Sequence, residues 1–472
     1  MARGQDGSPG EPNSDSRARS NDAVANQHRL IELGNVVEQN SGVKGRSRAK
    51  RPHRLRRRLI FSGVALVVII AGVIGGSYYY ANYRFDAIPK VNVAHEVKPI
   101  SGKPFNILMI GSDSRAGLTG AVAAQTGAST GSVSGQRSDV VKIIHVDPQA
   151  GSISLISIPR DTVVTLLANQ SLYGQFNRIN VNFGNGPSLL AQTITANFGI
   201  TINQTIVVSF AGLINAADAL GGVYLDFPYP AFDPESGLWI RHAGCQLIKG
   251  FPALAVTRSR HYYYNVNGNG TIPLHWSKLS SGQLYSDLVS EGWLYDGSSD
   301  FGRINRQNAF LRAMVDEAKK LYNPLTINRF LSAIPQGVTL DSNFSLNELI
   351  GLAVRFHGIN ANAIQTYTLP TYSAVSATLG DVLYVQQPTS QQLLVGIFGT
   401  QLTKPTNPPP NEQLQTPQPP FVAVTTTTSP SATTTSSSKK KHVTTATTAP
   451  TTTTTNPTLS VPNFDPKPCT PS

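Results

Sequence analysis

Cysteine is nearly absent, with Cys245 and Cys469 the only two in 472 residues, and charged residues make up just 14% of the chain. No CxxC pair, Walker loop or HExxH pair occurs. These absences exclude thioredoxin-like redox chemistry, P-loop nucleotide binding and a zincin-type zinc site. Charge and proline are missing altogether from residues 59–80, an apolar run closed by Tyr78-Tyr79-Tyr80. Its 22 residues, at about 1.5 Å each, reach roughly 33 Å, enough to cross the hydrocarbon core of a bilayer. A cleaved signal would be shorter and would end in a small-residue site. Here Ser77 is followed by three tyrosines, whose rings suit a membrane interface. A single uncleaved transmembrane helix is therefore expected.

What flanks the run orients it. Lys44, Arg46, Arg48, Lys50, Arg51, Arg54, Arg56, Arg57 and Arg58 precede it, and only Arg84 and Lys90 closely follow. The positive-inside rule puts residues 1–58 in the cytoplasm and everything after residue 80 outside. The net charge of +12 divides into +7 for residues 1–58, +2 for 59–400 and +3 for 401–472. The folded part is nearly neutral, so the basic tail speaks for anionic membrane lipid and no nucleic-acid partner is expected. An oxidising exterior permits a disulfide between Cys245 and Cys469, with two free thiols as the alternative.

Residues 1–58 read as a disordered basic tail, 59–80 as the anchor and 81–103 as a short stalk. Residues 104–400 have the composition of one globular domain, and 401–472 read as a disordered Pro/Thr/Ser-rich tail of the wall-spanning or glycosylated kind. Apolar runs of strand length occur at 105–110, 140–146, 153–158, 205–209 and 223–227, with helical spacing at 211–220, 306–321 and 346–356. Runs that are almost wholly apolar, such as 140–146, suit strands covered on both faces, so an α/β fold with a central sheet and helices on both faces is expected. Segments 116–136 and 261–299 are too long and too rich in Gly and Ser to belong to that scaffold.

The few charges recur at the ends of the apolar runs. Asp113 and Arg115 follow one, Arg137 and Asp139 precede another, and Arg160 and Asp161 close a third after Pro159. Arg258 and Arg260 alternate, which in an extended segment puts both on one face. Asp300, Arg303 and Arg306 open a helix that also holds Gln307, with three-residue spacing placing the two arginines on one side. A single arginine at a strand end is an ordinary solvated rim residue. A set of them repels itself unless an anion is bound, and guanidinium forks match phosphate oxygens in a bidentate way. Asp113 and Asp139 add hard oxygen ligands of the kind magnesium takes beside substrate phosphates. Together these point to phosphoryl transfer, which depends on positioning and charge neutralisation.

The strings Asn106-Ile107-Leu108-Met109-Ile110-Gly111-Ser112-Asp113-Ser114-Arg115, Arg137-Ser138-Asp139 and Ser157-Ile158-Pro159-Arg160-Asp161-Thr162 resemble successive signatures of the LytR-CpsA-Psr family, of the actinobacterial type. Arg178-Ile179-Asn180, Ala219-Leu220-Gly221-Gly222-Val223, Arg258-Ser259-Arg260 and Asp300-Phe301-Gly302-Arg303-Ile304-Asn305-Arg306-Gln307 continue the likeness in the family's order, over about residues 104–325. The resemblance implies a central mixed sheet between helices, with a deep apolar lipid pocket. It implies a phosphotransferase that moves a glycan phosphate from a polyprenyl-pyrophosphate carrier onto a peptidoglycan hydroxyl. By the same likeness, Asp113 and Asp139 would hold Mg2+ (or Mn2+). Arg115, Arg137, Arg160, Arg258, Arg260, Arg303, Arg306 and Gln307 would bind the pyrophosphate. Arg160, with Asp161 or Asp300 as the acceptor-activating base, would be catalytic.

The chain departs from the family pattern in its long 116–136 and 261–299 segments and in the run Asn180-Val181-Asn182-Phe183-Gly184-Asn185-Gly186. His261, Tyr262, Tyr263, Tyr264, His275, Trp276 and Trp293 in the second segment read either as a sugar-stacking lid or as a partly ordered surface insertion. Two other functions use the same residues. One is a pyrophosphatase of lipid-linked intermediates, with water as acceptor; the other is a non-catalytic wall or carrier-binding protein.

Overall fold

The computed structural model describes residues 53–94, 96–126, 138–320, 324–356, 364–402 and 463–471. The chain divides into two compact units, Met1–Ser77 and Tyr78–Ser472. Helix α1 (His53–Asp86) starts in the first, and within it Phe61–Asp86 is apolar and long enough to cross a membrane. It runs beyond the expected 59–80 at both ends.

The strands of the second unit are β1 (Lys90–Val91), β2 (Phe105–Ser112), β3 (Ser138–Asp147), β4 (Ser152–Ile158), β5 (Gln204–Val208), β6 (Val223–Phe227), β7 (Ala231–Asp233), β8 (Leu238–Ile240), β9 (Gly244–Ile248), β10 (Tyr263–Asn265), β11 (Trp293–Tyr295), β12 (Val338–Asp341), β13 (Gln365–Thr368) and β14 (Lys467–Pro468). Its main helices are α2 (Pro187–Phe198), α3 (Phe210–Ala219), α4 (Phe251–Arg258), α5 (Ser281–Ser290), α6 (Asp300–Ala318), α7 (Leu346–Phe356) and α8 (Thr389–Phe398).

Seven strands form a central mixed sheet in the order β1-β12-β5-β2-β3-β4-β13, in which β2 pairs antiparallel with β3 and parallel with β5. Because strand side chains alternate, Leu108, Ile110, Val141, Ile143, Ile156 and Ile158 point one way. They pack with Leu190, Ile194 and Phe198 of α2 and with Leu393 and Leu394 of α8. From the opposite face Ile144, Ile153 and Leu155 meet Leu311 and Val315 of α6. The expected covering of the sheet on both faces is thus explained residue by residue.

Three expected boundaries are corrected. Residues 81–103 are not a stalk, since Phe85 and Ile88 bury against Val338, Leu340, Phe344 and Leu346 while β1 joins the sheet edge beside β12. Their apolar side chains fill a gap that the sheet edge leaves. The 261–299 segment is not a loose insertion: β8, β7, β10 and β11 form a four-stranded sheet, and α5 packs on it through Leu284 and Leu288. The tail does not stay unstructured to its end, because β14 pairs with β6, and Cys469 forms a disulfide with Cys245 of β9. Residues 403–462 lie outside the described residues, as do residues 1–52 and residues 127–136 of the 116–136 segment.

Candidate functional site

The antiparallel register gathers the charged motifs at one end of the central sheet. Ser112 at the close of β2 faces Ser138 at the start of β3, and Val141 of β3 faces Ile158 at the close of β4. Asp113 and Arg115, Asp139, and Arg160 and Asp161 therefore emerge together. The register slips between Gly111 and Ser112, and a Cβ on Gly111 would stand 2.7 Å from the Cβ of Val140. Only glycine permits the strands to approach so closely there.

Arg160 Nη1 lies 2.6 Å from Asp139 Oδ1, and its Nε lies 3.4 Å from Asp161 Oδ2. Burial opposes the charge of Arg160, but Asp139 and Asp161 outweigh it and raise its pKa. Asp161 is shared with Arg178 at 3.4 Å, so this carboxylate bridges two guanidinium groups. The N-terminus of α6 supplies the other half of the cluster. Asp300 Oδ1 lies 2.7 Å from Arg303 Nη2 and 3.5 Å from Arg260 Nε, and Arg303 Nη2 also donates to the Asp139 carbonyl at 3.0 Å. Burial pulls the pKa of Arg303 down, with Asp300 and Asp139 opposing the shift. The Nε groups of Arg115, Arg260 and Arg303 are buried without a hydrogen-bond acceptor.

Arg258 and Arg260 do not share an extended segment. Arg258 is the last residue of α4 and Ser259 its C-cap, because the side chain of buried Asp233 ends the helix from outside. Asp233 Oδ2 accepts from Ser259 Oγ at 2.6 Å, Arg260 N at 2.9 Å and His261 N at 3.0 Å. The bend sends the two arginines to different neighbours. Arg258 lies over the Phe210 ring at 5.0 Å, and its pKa is lowered by burial and by Arg115, against the pull of Asp139, Asp233 and Asp113.

Beside this cluster lies a cavity of about 230 Å³. Its walls include Met109, Val140, Phe210, Leu213, Leu254, Phe310, Leu311 and Met314, and its polar lining includes Asp139, Lys142, Arg258, Arg303 and Gln307. Gln307 is held by a 2.9 Å hydrogen bond to the Thr257 carbonyl. Sequence reasoning missed Lys142, whose Nζ donates to Ser157 Oγ at 2.6 Å and to Asn308 Oδ1 at 2.7 Å. Burial, with Arg303 adding to it, lowers its pKa to about 7. A lysine flanked by Val140, Val141, Ile143 and Ile144 in the strand was the available signal.

One of the expected phosphate ligands, Arg306, is not brought to the cluster. Arg306 is fully buried, with Nη1 3.0 Å from Asp296 Oδ2 and 2.6 Å from Asp465 Oδ1, so both carboxylates occupy its fork. Arg137 lies outside the described residues. The aromatic segment also differs from a sugar-stacking surface. Trp293 and Tyr262 are fully buried and Tyr263 is 8% exposed, since Trp293 and Tyr263 form a small core with Phe232, Ile272, Leu284 and Leu288. Among the described residues no group of three or more His, Cys, Asp or Glu side chains could hold a metal. Asp113 follows Ser112, whose partner across the strand pair is Ser138, the neighbour of Asp139, so the two carboxylates belong to the same end of the sheet. A pair of carboxylates fits magnesium, which usually takes one or two of them and completes its shell with water and substrate phosphate.

The model of the LytR_cpsA_psr family matches residues 79–268 and 294–395. The match therefore extends past residue 325, where the sequence likeness was expected to fade. The gap between its two parts falls inside the 261–299 segment. The probable cell wall biosynthesis protein LcpB of Corynebacterium glutamicum is 35% identical over 178 residues, 38% of this chain and 40% of that protein. The chain thus matches less than half of that relative's length. The polyisoprenyl-teichoic acid--peptidoglycan teichoic acid transferase TagV of Bacillus subtilis is 24% identical over 327 residues, covering 67% of this chain and 70% of its own. A solved LytR-Csp2A-Psr enzyme from Actinomyces oris superposes with a TM-score of 0.47 at 19% identity, over 66% of this chain and 95% of that one.

Proposed function

Because this chain belongs to the LytR-CpsA-Psr family, we propose that it is a phosphotransferase attaching a glycan phosphate from a polyprenyl-pyrophosphate carrier to a peptidoglycan hydroxyl. The observation that carries the reading is a cavity with apolar walls whose lining also holds Arg258, Arg303 and Gln307. A lipid diphosphate has the same two parts, a hydrocarbon chain and a dense anionic head. The similarity to TagV, named as a transferase joining a polyisoprenyl-linked teichoic acid to peptidoglycan, supports the same class of donor and acceptor.

In this reading Arg115, Arg160, Arg258, Arg260 and Arg303 neutralise the pyrophosphate, with bidentate forks favouring charge on its bridging and equatorial oxygens. The acceptor hydroxyl attacks the phosphorus that bears the glycan, the bond to the bridging oxygen breaks, and polyprenyl phosphate leaves. Asp300, which lies between Arg260 and Arg303, and Asp161, which lies between Arg160 and Arg178, would be the two candidates to receive the hydroxyl proton. Asp113 and Asp139 would hold Mg2+ (or Mn2+), which when bound supplies further neutralisation of the diphosphate. Helix α1 would anchor the enzyme in the membrane, with the basic residues before it in the cytoplasm and the domain on the outer side.

Full-length protein in detergent, incubated with magnesium, a lipid-linked glycan donor and peptidoglycan fragments, should yield fragments heavier by one glycan phosphate. Release of free glycan phosphate with no mass gain on the fragments would instead identify a pyrophosphatase.

A further inference from the structure

Arg306 ties its helix to three stretches of the chain that are separate in sequence. Its Nη1 meets Asp296 and Asp465, its Nη2 donates to the Ser259 carbonyl at 3.2 Å, and its guanidinium lies 4.3 Å from the Tyr262 ring centroid. Ser259 is the residue between Arg258 and Arg260. Asp296 begins the turn that enters α6, where Ser298 N donates back to Asp296 Oδ1 at 2.9 Å. Between that turn and Asp300 stands Ser299 with φ +48°, a strained value for a residue with a side chain. Gly302 leaves room for the contact, since a Cβ there would lie 2.5 Å from Asp296 Oδ2. Arg306 thus ties down both the strained entry to α6 and the bend that aims Arg258 and Arg260.

Asp465 reaches this hub from the far end of the chain. Phe464 stacks on Tyr264 at 4.4 Å, β14 extends the sheet at β6, and Cys469 is bonded to Cys245. We propose that Asp465 is a positioning residue for phosphotransfer, fixing Arg306 and through it the first turns of α6 that present Asp300 and Arg303. The proposal rests on the function argued above.

A purely structural explanation makes a different prediction. Two carboxylates on one buried guanidinium leave an excess negative charge, which burial disfavours. Burial indeed raises the pKa of Asp465 to about 6, with Asp296 adding to the rise and Arg306 opposing it. An amide of the same shape would relieve that charge, so stability alone gives no reason to keep an acid there.

Asp465→Asn in the full-length, disulfide-bonded protein tests this. The turnover for transfer should fall by about tenfold or more, as expected for misplaced reacting groups. The melting temperature should stay the same or rise, and Asp465→Glu should recover part of the rate. Without any substrate, the amides of residues 300–308 should exchange hydrogen about tenfold faster in Asp465→Asn, reporting a looser helix start. Transfer within about twofold of the parent together with unchanged exchange would overturn the proposal, and so would a fall in activity that merely tracks a lower melting temperature. If the parent itself fails to transfer, the function argued above is at fault, and the exchange measurement still decides whether Asp465 holds the helix.

Discussion

Arg303 and Arg306 lie one turn apart on the same helix, and they face two different regions. Arg303 meets Asp300 and the Asp139 carbonyl beside an apolar cavity. Arg306 meets Asp296 and Asp465 in a sealed interior. Residues three apart on a helix differ by about 60° around its axis. That angle is small enough for a motif to treat the two arginines as one set, and large enough to send them to opposite sides of a packing boundary. The lesson is that spacing selects residue types, whereas neighbours decide whether a cation is free to take a ligand.

The comparison can be broken from the ligand side first. Arg160→Ala should lower transfer by about 10²- to 10³-fold with the fold intact, the range expected for removing a group that neutralises developing charge. Arg160→Lys should recover little, because an ammonium lacks the fork. Steady-state transfer rates with parallel melting curves would check both.

Removing the cation of the sealed side should show first in stability. Arg306→Ala leaves Asp296 and Asp465 buried without their cation, so denaturant unfolding should show a loss of about 3–5 kcal/mol. Arg303→Ala should destabilise far less, since Asp300 retains Arg260. Similar losses from the two substitutions would erase the distinction drawn here.

The smallest effect concerns the sheet beneath the helix. Lys142 loses protons in the folded state at about pH 7, against an ordinary value of 10.5. Between those values the unfolded chain binds the extra proton, so stability contributed at this site rises with pH across that window. Measured against Lys142→Met, the parent should gain relative stability from pH 7 towards pH 10; a flat difference would mean the amine is not buried as described.

Much of the scaffold was legible because its strands are largely apolar runs of strand length. The run at 223–227 coincides with β6, and the helix at 346–356 with α7. Arg160, Asp139, Arg303 and Asp300 were legible as a set, because charges recurring at the ends of several apolar runs repel one another unless a ligand joins them. The sequence left the aromatic segment open between a lid and a surface insertion for a physical reason: a ring that stacks on sugar and a ring that fills a small core have the same composition. The packing of the stretch around Asp465 was hidden by its setting, since one acid and one phenylalanine after some sixty residues rich in Pro and Thr show no periodicity. Only the two cysteines hinted that the tail returns.

The most direct test of the account is to titrate a short-chain prenyl diphosphate into full-length protein carrying Arg303→Lys or Arg306→Lys. The account predicts that Arg303→Lys weakens binding by about tenfold or more, through loss of its planar fork. Arg306→Lys keeps a cation between Asp296 and Asp465 and should stay within about twofold of the parent. Equal weakening by both substitutions, or none by Arg303→Lys, would contradict the division of α6 into a ligand-binding face and a sealed one.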